Sequence, residues 1–173
     1  MIDKASTVDS LYAAGIEVMD YVWNGTTVPA AAAWMLSACS IADGRVDFEV
    51  MFDDPRIIEK ANAAWFDFAT SGGLFNENRE FLVSVGPVDG ENPVRPHWAR
   101  VRLNECWDVM GVGTECGVLG GPRGRPGFVM MSLDERVLIG ATTWDGFMSV
   151  MRLLSPIDAE PIRRAMNIAG PRA

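Results

Sequence analysis

The chain has 173 residues, 49% of them apolar, and a formal net charge of −8. That length and apolar content suit one globular domain over 1–173 that buries its own core without disulfide staples. The acid excess argues against generic nucleic-acid binding, which needs lysine and arginine to displace counterions from phosphate, and no apolar stretch reaches the ~20 residues that cross a bilayer.

In chain order, a first helix is expected over 8–23, where Val8, Leu11, Tyr12, Gly15, Met19 and Val22 form an apolar stripe and Asn24-Gly25 ends it. A second, buried helix is expected over 29–42, with Pro29 in its first turn and Gly44 just past its end. The segment RVDFEVMF alternates apolar and charged residues from Arg45 to Phe52, as a half-buried strand does. Asp54-Pro55 opens a third helix whose Ile57, Ile58, Ala61, Ala64, Trp65 and Phe68 share a face, and Gly72-Gly73 ends it. Strands follow over 80–85 and 97–103, joined by the turn VDGENPVRP, and a hairpin joins 128–133 to 137–143 around Asp134-Glu135. After Trp144-Asp145-Gly146 a helix is expected on the spacing of Phe147, Val150, Met151 and Leu154, with a short last helix over 159–167.

The stretch 111–127, GVGTECGVLGGPRGRPG, has seven glycines in seventeen positions, two prolines and two arginines. Glycine permits close backbone approach, and loops of this length often carry function. The stretch matches neither the phosphate loop G-x-x-x-x-G-K-[ST] nor G-x-G-x-x-G opening a helix. Its reading is a recognition loop in which Gly120, Gly121 and Gly124 bring the backbone close and Arg123 and Arg125 grip a carboxylate or phosphate with paired hydrogen bonds.

Charge is divided unevenly. Residues 1–94 carry a net −10 and residues 95–173 a net +2. An acidic half of that kind suits a basic protein partner approached by electrostatic steering. Six tryptophans and ten methionines add the expectation of a homo-oligomer, since both residue types serve interfaces as well as cores. Three cysteines (Cys39, Cys106, Cys116) in no paired spacing and a lone His97 form neither a disulfide framework nor a zinc motif, so no metal or cofactor is expected. No basic segment followed by an apolar run marks a leader, and a reducing cytoplasm is the expected location. Trp98, Arg100 and Arg102 share a strand face, with Asp47 and Glu49 as expected partners across the sheet.

The expected fold is α+β: an antiparallel sheet of about five strands, covered on one face by an N-terminal helical pair, a third helix and a C-terminal helical segment. Its function is expected to be non-catalytic binding of a protein partner, of the immunity, inhibitor or chaperone type, through the acidic half and the Gly/Arg loop. From about residue 5 to 143 the element order resembles that of nuclear-transport-factor-2-like cone domains, which begin with helices and end in a curved meander around a pocket. The helices expected after Trp144 depart from that order. The resemblance implies an alternative, a small-molecule enzyme or binder with a sheet-lined pocket around His97, Cys116 and Asp47.

Overall fold

Gly15 decides the first turn. Its φ is +85°, and a Cβ there would lie 2.2 Å from the carbonyl oxygen of Cys106. Only glycine tolerates both conditions, so helix α1, Lys4–Ala13, stops and the chain reverses into strand β1, Ile16–Trp23. The helix expected over 8–23 is therefore a helix and a strand. The strand half, IEVMDYVW, is rich in the β-branched and aromatic residues that suit a sheet. The computed structural model describes residues 4–86, 95–115 and 117–169; most of the expected turn VDGENPVRP and the position of Cys116 lie outside them.

The second expected helix is also shorter. Helix α2, Ala30–Ala33, tightens into a 3-10 segment, Trp34–Ala38, and Cys39 leaves it in an extended conformation. Ser40 then starts a separate 3-10 turn, Ile41–Asp43, by exchanging hydrogen bonds with Asp43 in a capping box, and Gly44 ends it in a left-handed conformation. Local serine and aspartate bonds of this kind compete with a continuing helix.

Strand β2, Val46–Met51, helix α3, Ile57–Gly72, and strands β3, Glu80–Val85, and β4, His97–Leu103, stand close to their expected bounds. Helix α3, however, starts after Arg56 as its N-cap and not at Asp54-Pro55, and β2 buries only Val50 and not the expected apolar half. Helix α4, Val112–Glu115, is a single turn inside the glycine-rich stretch. Strands β5, Gly127–Met131, and β6, Val137–Thr143, form the expected hairpin. The helix expected after Gly146 is instead strand β7, Phe147–Leu154. Met148 and Val150 are buried on one side of it and Ser149, Met151 and Leu153 on the other. A strand buried on both faces shows no alternation, and its apolar spacing imitates a helix. Helix α5, Glu160–Ala169, completes the order.

All seven strands form one antiparallel sheet in the order β1-β4-β3-β5-β6-β7-β2. The expected count of about five omitted β1 and β7. Helices cover both faces, not one. On the first face Trp65 and Ala61 of α3 and Leu11 of α1 pack on Phe81, Val101, Phe128 and Met130. On the second, α2, its 3-10 extension and α5 set Ala33, Leu36 and Ile162 on Leu82, Trp98, Leu138 and Leu153. The first face is filled by the fully buried Trp65, Phe81 and Phe128. Among the described residues, no helix is long and apolar enough to cross a membrane.

Candidate functional site

The glycine-rich stretch is assembled from its base upward by Asn62 of α3. Asn62 Nδ2 donates to Asp108 Oδ1 at 2.8 Å, and Asn62 Oδ1 accepts the Met110 N–H at 2.9 Å. Asp108 in turn accepts the N–H groups of Gly111, at 2.8 Å, and Val112, at 3.0 Å, at the start of α4. Burial pushes the Asp108 carboxyl up. The hydrogen bonds from Asn62, Val112 and Gly111, together with the Arg123 charge, outweigh burial and hold it below the usual carboxylate range. Thr114, fully buried, accepts the Gly124 N–H at 2.8 Å and places its own hydroxyl 2.9 Å from the Met110 carbonyl oxygen.

The glycines serve this internal packing. Gly120 bridges to Pro126, and a Cβ on Gly120 would lie 2.2 Å from the Arg125 carbonyl oxygen. Gly121 donates to that same carbonyl at 2.9 Å, ahead of a cis bond to Pro122. The N–H groups of Gly121 and Gly124 are therefore engaged within the loop, and the loop's outward chemistry rests on its arginines. Arg123 pairs with Glu115 at 3.3 Å and approaches Asp108 at 3.9 Å, and all three side chains keep contact with solvent. The Arg125 guanidinium stacks on the Phe52 ring, 3.3 Å from its centroid.

Phe52 is the residue that follows β2, so the Gly/Arg loop sits against the acidic segment. A cleft of about 900 Å³ runs along β2, past Phe48, Glu49 and Met51 to Asp53 and Lys60. A second cleft, of about 390 Å³, is lined by Ile58, Asn62, Asp108 and Arg123. The two share Pro55 and Arg56. Lys60 pairs with Asp54, and Arg56 with Glu59, whereas Glu49 and Asp53 have no ion pair among the described residues.

The other candidate residues are dispersed. His97 shares the first sheet face with its pairing partner Val85, and Asp47 shares the second with Met151. Five strand steps separate β4 from β2, roughly 24 Å at ordinary strand spacing. The structure does not bring His97 and Asp47 together. His97 Nε2 lies 3.0 Å from the Tyr21 carbonyl oxygen with the Tyr21 ring edge-on, and Asp47 pairs with Arg45 at 2.8 Å. Cys116 is outside the described residues. Cys39 is buried, and burial, helped by the nearby Asp43 charge, pushes its thiol up to about 11.

Arg100 and Arg102 share a face with Trp98, as expected, but their partners are not Asp47 and Glu49. Both converge on Glu80 of β3, at 2.8 and 3.2 Å, and Arg100 reaches Asp20 at 3.4 Å. The Arg100 hydrogen bond comes first among the causes that hold the Glu80 carboxyl below its usual range, against burial. Strand order explains the difference, because β3 and β1 flank β4 while β2 lies at the far edge.

No known protein family, characterised protein or solved structure matches this chain. Three features of the site escape sequence reading: the outer position of β2, the stacking of Phe52, and the Asn62–Asp108 pair. Only the last leaves a local trace, an aspartate shortly before a helical turn, which is a capping pattern.

Proposed function

We propose that this chain is a non-catalytic binding protein whose protein partner docks on the surface shared by β2, the segment 53–59 and the Gly/Arg loop. The observation that carries the reading is the continuity of the two clefts through Pro55 and Arg56, with Arg125 stacked on Phe52. Two regions far apart in the chain, one acidic and one bearing arginines, thereby form one surface. Val46, Phe48 and Met51 add apolar contact, being 45%, 36% and 55% exposed. Protein interfaces combine such an apolar centre with a charged rim, and arginine is enriched in them. The net −10 of residues 1–94 favours a basic partner.

An intracellular setting and self-association belong to the same proposal. The second sheet face supplies a separate surface for a further copy, where Trp34, Met35 and Trp144 are exposed. The test is capture from extract of the native host, with the chain as bait and an Arg123→Ala/Arg125→Ala variant beside it. The parent is expected to retain a saturable partner that raised salt releases and that the double variant loses. Failure to retain any such partner, or equal retention by the variant, would overturn the proposal.

A further inference from the structure

We propose that the partner engages β2 by strand addition, as an extended segment in which basic and apolar residues alternate. This rests on the protein-binding reading above and specifies its chemistry. Among the described residues, strand β2 is an outer edge of the sheet and pairs only with β7. Phe52 donates its N–H to Gly146 on the β7 side at 3.0 Å. Backbone groups alternate along a strand, so those of Val46, Phe48 and Val50 also face β7. Those of Asp47 and Glu49, and the Met51 N–H, face outward.

The two edges of the sheet differ. Strand β1 carries two register shifts, and such irregularities blunt an edge. Strand β2 keeps an unbroken register from Val46 to Met51, has neither lysine nor proline, and buries only Val50. A regular edge that none of the described residues covers, with outward N–H and C=O groups, is a template for another strand.

The side chains select the occupant. Val46, Phe48 and Val50 lie on the first face of the sheet, and Asp47 and Glu49 on the second. An added strand would meet apolar residues on one side and carboxylates on the other. Alternating Val or Ile with Lys or Arg complements both. A second copy of this chain does not. Two-fold pairing centred on Phe48 sets Asp47 of one copy opposite Glu49 of the other, and pairing centred on Glu49 sets that carboxylate against itself. Like charges directly opposite destabilise a pair of strands.

The experiment uses the whole chain and a short blocked peptide of alternating lysine and valine. Binding is followed by fluorescence anisotropy and by amide hydrogen exchange. The peptide is expected to bind, to weaken as salt rises, and to slow exchange at the amides of Asp47, Glu49 and Met51. Backbone N-methylation of the peptide on its bonding edge should weaken binding about tenfold or more, through the loss of two hydrogen bonds. A glutamate–valine peptide should fail to bind, and so should the Glu49→Lys variant with the lysine–valine peptide. Equal binding of the N-methylated peptide, or no protection at those three amides, would overturn strand addition. Protection of the same amides by dimerisation without peptide would overturn it in favour of a second copy. A host partner held equally by the parent and by Glu49→Lys overturns this inference and leaves the protein-binding reading standing. That reading falls separately, if the bait retains no saturable partner.

Discussion

Asp108→Ala removes the residue on which the Gly/Arg loop is built. The wild-type carboxylate accepts the N–H groups of Gly111 and Val112 and the side-chain amide of Asn62. Losing the cap of a helical turn costs about 1 kcal/mol. Asn62 cannot turn to compensate, because its own oxygen holds the Met110 N–H, so its unpaired donor costs about another 1 kcal/mol. A total of about 2 kcal/mol lowers the melting temperature of a chain this size by about 4–8 °C. Calorimetry at neutral pH reads that difference directly. The sign of its pH dependence follows from the lowered carboxyl pKa in the folded protein. The ionic contribution is fully present above the ordinary value of 3.8 and is lost as pH falls through the lowered one. The deficit of the variant should therefore hold at neutral pH and narrow on acidification below about 3.8. A variant that melts with the parent would refute the assignment of Asp108 as the anchor, and a deficit unchanged in acid would refute the role of its charge.

Three further outcomes are expected. Gly15→Ala combines a left-handed backbone, about 1–2 kcal/mol, with overlap against the Cys106 carbonyl, about 1–3 kcal/mol more, so its denaturation midpoint should fall well below the parent's. Cys39, buried and with its thiol raised to about 11, should resist alkylation at pH 8 until the chain unfolds, while the exposed Cys106 reacts at once; peptide mapping of the labelled protein separates the two. Arg123→Ala/Arg125→Ala should melt within a few degrees of the parent, because Arg123 pairs with half-exposed carboxylates and Arg125 stacks on a single ring, so its loss of partner would report recognition and not folding.

The parts of the fold legible in the sequence are those whose pattern is local. RVDFEVMF alternates, Asp54-Pro55 lies just before α3 and Gly73 ends it, and the hairpin turns at Asp134-Glu135, so these elements stand near where they are expected. The sequence misleads where a tertiary contact decides. Gly15 reads as one more residue of a helical stripe until its closeness to Cys106 is known. Strand β7 hides its period because both its faces are buried. Among the tryptophans and methionines, Trp65, Trp98, Met110 and Met130 fill the core, while Trp34, Trp144, Met35 and Met51 stay exposed. At the site, the arginines stand out by composition alone, but Phe52, Asn62 and Asp108 do not, since each acquires its role from a partner distant in the chain.

The strand-addition proposal gives the acidic residues of β2 a double role. A strand edge of unbroken register invites pairing with its own copies. Asp47 and Glu49 oppose that pairing, because they place like charges against each other in the centred registers. Under the strand-addition proposal the same two carboxylates would attract a strand of opposite sign, so one pair of residues would both protect the edge and select its occupant. Arg45 offsets Asp47 in the free protein, while Glu49 has no such partner among the described residues. The cost of recruiting a basic strand is therefore lowest at Glu49, in the middle of the edge, where no existing ion pair must break. That ordering makes Glu49, more than Asp47, the position at which charge reversal should weaken binding most.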